Sequence, residues 1–258
     1  MKLFSKLFVA CLLSLLFCTT ATAVFADAQS DYQYQYGQYR QNYIEYTILK
    51  KDFLGSPTLD NQQKAILAAK QTIISRDQAK ASFADYLLSL CQENQTNYAP
   101  IKPILDSLNA AKIFYLSEVN KAQAIVTPAQ LASFTTDYVT NTVIQDRSFR
   151  TGVIACKISE LVRIQIGSKN ALDVIIPKLA VPFSTPLQTR ITDLQSQGND
   201  INDAINALTA SLFSEAQMDN IDNSSYFSNS SDKIKKIQSL QLKWINGLID
   251  IDINYAHS

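Results

Sequence analysis

Two acid pairs, Asp200 with Asp203 and Asp250 with Asp252, are the first residues whose type and spacing could do chemistry, because sugar cleavage needs only two carboxyl groups. The same spacing is ordinary on a solvated helix face, and that is the expectation here. Glu160 continues an apolar helical stripe with Arg163 one turn on, so the sequence predicts a buried or half-buried ion pair rather than a catalytic acid. The single histidine, His257, stands next to the last residue of the sequence, where a terminus holds a general base poorly. Without a second histidine, Ser-His-Asp and Cys-His arrangements are disfavoured. No zinc, phosphate-loop, calcium-loop or Cys-x-x-Cys pattern occurs, so no catalytic residue, metal site or cofactor is expected.

One constellation stands apart. Six of the 12 tyrosines fall between Tyr32 and Tyr46, and a second segment carries Arg76, Asp77 and Lys80 where apolar residues would otherwise continue its stripe. If the two segments form an antiparallel hairpin turning near Ser56, Tyr36 comes level with Arg76 and Asp77, and Tyr32 with Lys80. Phenol hydroxyls accept from Arg and donate to Asp, and cations lie over tyrosine rings. Tyr32, Tyr36, Arg76, Asp77 and Lys80 are therefore the candidate polar cluster between helices.

The elements that must position these residues read as helices throughout. Six glycines, seven prolines and no alternating strand pattern disfavour all-β folds. Tyr32, Tyr36, Tyr39, Tyr43, Tyr46 and Phe53 step by four and three, with Lys50 in the remaining slot, and predict a heptad seam. Tyr34, off this stripe, is the expected exposed ring. Gly55-Ser56-Pro57 ends that helix, and Thr58 caps a second running to about Gln95, with Ile66, Ala69, Ile73, Phe83, Leu87 and Leu90 on one face. A third helix carries Ile101, Ile104, Leu108, Lys112, Tyr115, Val119 and Ala122. Thr127-Pro128-Ala129-Gln130 is a capping box opening a fourth, with Leu131, Phe134, Tyr138, Thr142, Gln145, Phe149, Val153 and Cys156 along it to about Ile166. Gly152 is expected to loosen it midway.

Lys169 to Phe183 holds Pro177 and Pro182 and predicts a packed connector. Thr185-Pro186-Leu187-Gln188 then opens a helix bearing Leu187, Ile191, Leu194, Gly198, Ile201, Ile205, Leu208 and Leu212. Asn220 to Ser231 reads as an exposed loop. A last helix carries Ile234, Ile237, Gln241, Trp244, Leu248, Ile251 and Tyr255. Folding these two helices together sets Trp244 beside Gly198, so Trp244 should be buried with the glycine as neighbour.

Lys2 and Lys6 before the apolar run Leu7 to Phe17 read as an export signal too short to span a bilayer. Cleavage after Ala26 is favoured over Ala23, an uncleaved anchor being the alternative. The chain has 23 Lys plus Arg against 23 Asp plus Glu, so losing Lys2 and Lys6 leaves a net charge of −2. With no basic face, nucleic acid is not an expected partner. Membrane contact is expected only through the signal segment. Cys91 and Cys156 would meet oxidising conditions, yet the hairpin layout separates them by about 12 Å, against roughly 4.4–6.8 Å between the Cα atoms of a disulfide. Two small buried hydrophobes are the first expectation and a bridge the alternative.

Tyr39-Arg40-Gln41-Asn42-Tyr43-Ile44-Glu45-Tyr46, then Thr58-Leu59, Ala68-Ala69-Lys70, Ser75-Arg76-Asp77 and Tyr86-Leu87, resemble an uncharacterised family of exported helical proteins from uncultivated, small-genome bacteria. The resemblance covers residues 32 to 90 and implies export, a helical hairpin and bacterial origin; it implies no activity and transfers no site residue.

Together these readings predict an all-α, elongated antiparallel bundle of five to six long helices: a signal peptide over 1–26, N-terminal hairpins over 27–168, and a C-terminal hairpin with its connector over 169–258. The expected function is that of a secreted or cell-surface structural or interaction module, meeting another protein, a surface glycan or its own copies. A sensor-like bundle holding a small ligand is the first alternative, and a carboxylate-dependent glycan hydrolase the second.

Overall fold

The computed structural model describes residues 22–92, 98–179, 184–216 and 223–255. The expected export segment before residue 22 lies outside these residues, while the backbone at Ala23 and Ala26 is already helical. Six helices pack side by side in antiparallel contacts, with no strand among the described residues. They are α1 (Thr22–Gly55), α2 (Leu59–Gln92), α3 (Lys102–Gln123), α4 (Pro128–Ile175), α5 (Thr185–Ala216) and α6 (Asn223–Tyr255).

At Thr58 and Thr127 the expected helix starts appear as hydrogen bonds. The Thr58 hydroxyl accepts from the Asn61 N–H at 3.2 Å. At α4 the Thr127 hydroxyl accepts from the Gln130 N–H at 3.2 Å, and Gln130 Oε1 accepts from the N–H groups of Val126 and Thr127 at 2.9 and 3.1 Å. These bonds satisfy N–H groups that a helix start leaves without partners.

The chain forms two compact units. The first comprises Met1–Glu93 and Ala111–Val139, hence α1, α2, the later part of α3 and the first turns of α4. Its central element is α2, which buries Ala65, Ala68, Ala69, Ala79, Ala81 and Ala84 besides Ile73, Ile74 and Leu87. Small side chains let neighbouring helices approach on several sides. Ile73 and Ile74 join Val119, Ala122 and Ile125, with Leu131 and Phe134 packed against them. Lys70 Nζ donates to the carbonyls of Gln123 and Ile125 at 2.5 and 3.1 Å, supplying charged donors where α3 ends.

The seam of α1 differs from the expected one. Tyr32, Tyr39, Tyr46 and Phe53 lie half-buried, but the slots between them are filled by Gln35, Asn42 and Leu49. Tyr36 and Tyr43 are instead 45% and 52% exposed. Both stripes obey the heptad spacing and differ in all three slots; at the last one burial of Lys50 would cost far more than burial of Leu49. The hairpin register is also slipped: Tyr32 packs on Phe83 at 5.0 Å and stacks on Tyr86 at 6.1 Å, well beyond Lys80. The turn between Gly55 and Leu59 is centred later than Ser56. Thr72 Oγ1, donating to the Asn42 carbonyl at 2.9 Å, fixes the new register.

The second unit comprises Asn94–Ala110 and Thr140–Ser258. Here the expected rhythm holds up to its last step: Leu187, Ile191, Leu194, Ile201, Ile205, Leu208 and Leu212 of α5 are buried, as are Ile234, Ile237, Gln241, Trp244, Leu248 and Ile251 of α6, while Tyr255 is half-buried. Trp244 is 1% exposed, and a Cβ at Gly198 would stand 3.0 Å from Trp244 Cζ2, as the sequence predicted. The indole Nε1 donates to the Leu194 carbonyl at 2.7 Å. Gln165 Nε2 donates to the Gly198 carbonyl at 2.9 Å and Gln241 Nε2 to the Leu161 carbonyl at 2.7 Å, so buried amides tie α4 to α5 and α6.

Three boundaries need correction. α4 does not stop near Ile166 but continues to Ile175, followed by a 3-10 turn over Ile176–Lys178. Residue 168, where the sequence placed a boundary, therefore lies inside a helix. Gly152 does not loosen α4: a Cβ there would stand 2.8 Å from both methyl carbons of Leu108, so the glycine admits that side chain. The expected polar loop is helical from Asn223 onward and buries Tyr226 and Ser230; residues 217–222 lie outside the described ones.

Cys91 and Cys156 are disulfide-bonded, which gives one disulfide among the described residues. The bond overturns the first expectation, that of two small buried hydrophobes, in favour of the alternative, a bridge.

Candidate functional site

The polar cluster forms around Asp77, which is fully buried. Adjacent residues on a helix point in different directions. Arg76 nevertheless folds back on its neighbour, Nε donating to Asp77 Oδ1 at 2.9 Å and Nη2 to Oδ2 at 3.4 Å. Its guanidinium lies 3.9 Å from the centroid of the Tyr138 ring, and the Tyr138 hydroxyl donates to Asp77 Oδ1 at 2.6 Å. One tyrosine of α4 thus stacks on the cation and bonds the anion of the same pair. A turn further along α2, Lys80 Nζ donates to the Tyr115 hydroxyl at 3.1 Å and stands 4.8 Å from that ring's centroid.

Burial pushes the Asp77 carboxyl above the ordinary carboxylate range, against the opposing pull of Arg76, Tyr138 and Lys80. Desolvation works against the charge on Arg76, but the hydrogen bond and charge of Asp77 outweigh it and hold the guanidinium more firmly protonated. Burial, then the adjacent Asp77 charge, drives the Tyr138 phenol far up, so it remains a donor at every physiological pH. The arrangement satisfies a buried carboxylate.

Of the five residues selected from the sequence, Arg76, Asp77 and Lys80 come together. Tyr32 and Tyr36 do not join them: Tyr32 sits in a ring cluster with Phe83 and Tyr86, and Tyr36 lies beside it at 6.0 Å. Burial, with smaller contributions from Tyr36 and Tyr86, raises the Tyr32 phenol. Tyr115 and Tyr138 take the places expected of them. Both stood on predicted seams, and a seam tyrosine whose hydroxyl must be buried needs a polar partner. That requirement, set beside two cations and an acid on α2, is the signal that identifies them.

The acid pairs are dispersed. Asp200 and Asp203 are exposed, and Asp250 forms an ion pair with Arg190. Glu160 pairs with Lys157 at 3.1 Å instead of Arg163; one helical turn in either direction offered a cation, and Arg163 turns to solvent. No group of three metal-ligating side chains occurs among the described residues. A groove of about 680 Å³ runs between α5 and α6, lined by Arg190, Asp193, Gln197, Lys243 and Asn246, and the Arg190–Asp250 pair spans it.

α1 carries a different kind of surface. It packs on α2, and its other side exposes Tyr34 at 63%, Ile44 at 57% and Ile48 at 56%, while Tyr36 and Tyr43 stand exposed beside the seam, in ring contact with Tyr39. No described helix is long and apolar enough to cross a membrane. No protein-family model, curated protein or solved structure matches this chain.

Proposed function

We propose that the chain is an exported helical-bundle module that works by presenting a helix face to a macromolecular partner, at the cell surface or beyond it. The observation that carries this reading is the outward side of α1, where Tyr34, Ile44 and Ile48 stand in solvent, with Tyr36 and Tyr43 exposed at the edge of the seam. Large apolar and aromatic side chains gathered on one exposed face mark interaction surfaces. Export is supported by the basic and apolar pattern of the first residues together with the disulfide at Cys91 and Cys156. The Arg76–Asp77–Tyr138 cluster favours this reading over a small-ligand sensor, because its polar atoms are aimed at one another.

The test is retention of the purified chain on intact cells and on immobilised cell-surface proteins and glycans. The wild type should be retained and Tyr34→Ala/Tyr43→Ala should not, with both showing the same far-UV circular dichroism. Equal retention of the two proteins would remove α1 from the account.

A further inference from the structure

We infer that a second copy of this chain occupies the outward face of α1, the two α1 helices lying side by side in the same direction. This inference rests on the reading of α1 as a docking face. Tyr34, Gly37, Gln41, Ile44, Ile48 and Lys51 recur at steps of three and four, a second heptad stripe on the side of α1 opposite Tyr32, Tyr39, Tyr46 and Phe53. Gly37 has nothing within 4 Å of where a Cβ would be, so this side is open.

The charges beside the stripe choose both partner and direction. One edge carries Asp31, Glu45 and Asp52; the other carries Arg40, flanked by Gln33 and Thr47. Arg40 and Glu45 are both exposed, and five residues apart on a helix they point away from each other. In a same-direction pair each edge meets the opposite edge of the other helix, so Arg40 of one copy faces the second copy's Glu45, and the pair occurs twice by symmetry. The reverse direction would set Asp31, Glu45 and Asp52 against their own like. The edge is thus complementary to itself in one orientation only. Gln41, a polar residue within the stripe, fixes the register at some cost in affinity. With two isoleucines and one tyrosine as its large residues, the stripe is smaller than the standard interface of roughly 1,600 Å², so the dimer is weak and reversible.

Sedimentation of the full chain from micromolar to near-millimolar concentration tests this. The wild type should shift from monomer to dimer, and Ile44→Glu/Ile48→Glu should remain monomeric. Arg40→Glu and Glu45→Arg should each weaken the dimer by about fivefold or more, since two exposed ion pairs are lost, and the double exchange should restore it. Under mild oxidation Ile48→Cys should give a disulfide-linked dimer, and Gln71→Cys, exposed on α2, should not. A chain monomeric throughout, or a dimer indifferent to these exchanges, overturns the inference. If that monomer still loses retention on cells with Tyr34→Ala/Tyr43→Ala, the docking face stands and only its self-pairing falls.

Discussion

At the residue scale, Asp77 holds the first unit together through a charge that could not stay buried alone. Removing it as Asp77→Ala leaves Arg76 and the Tyr138 hydroxyl without their acceptor, and stability should fall by about 3 kcal/mol in urea denaturation. Tyr138→Phe removes one hydrogen bond to a charged group and should cost about 1.5 to 2 kcal/mol. Because burial raises the Asp77 carboxyl, the folded chain retains this proton at a pH where the unfolded chain has released it. Its contribution to stability should therefore grow as pH falls through the raised value toward the ordinary 3.8, and become constant below it. Denaturation series for wild type and Asp77→Asn should diverge in that sense, the wild type gaining on the variant as pH falls; the opposite slope would mean that Arg76 lowers the carboxyl instead.

At the element scale, glycines separate close helix contacts from open helix surface. Gly198→Ala would place a methyl 3.0 Å from the Trp244 ring, which is fully buried and bonded to the Leu194 carbonyl. Overpacking should outweigh the gain in helix propensity, for a net loss of about 1 kcal/mol or more. Gly167→Ala, with nothing within 4 Å, should stabilise α4 by about 0.5 to 1 kcal/mol, both readable as shifts in thermal midpoint. The seams of α5 and α6 were legible to the residue because each apolar stripe has one solution. The tyrosine stripe of α1 was not, since two stripes share Tyr32, Tyr39, Tyr46 and Phe53 and differ at Gln35 or Tyr36, Asn42 or Tyr43, and Leu49 or Lys50, of which only the last choice favours the observed seam on hydrophobicity. The caps at Thr58 and Thr127 could be read because short-range hydrogen bonds need no tertiary information. The ends of α4 and the start of α6 could not, because packing carries helices through sequence that local propensity would release. Half of the polar cluster was legible on α2; its tyrosines needed the hairpin register, which a shift of the turn displaces.

At the scale of the whole molecule, the chain divides its tyrosines between holding the fold and facing outward. Tyr115 and Tyr138 are buried on Lys80 and Asp77, whereas Tyr34, Tyr36 and Tyr43 are turned to solvent on α1. The disulfide should add about 2 to 4 kcal/mol, seen as an earlier urea midpoint for the Cys91→Ser/Cys156→Ser chain. The division of tyrosines is the claim on which the docking face depends, and residue-resolved hydroxyl-radical footprinting of the dilute chain measures it most directly. Tyr34, Tyr36 and Tyr43 should be oxidised fast and Tyr115 and Tyr138 strongly protected. Equal oxidation of Tyr34 and Tyr138 would contradict the account.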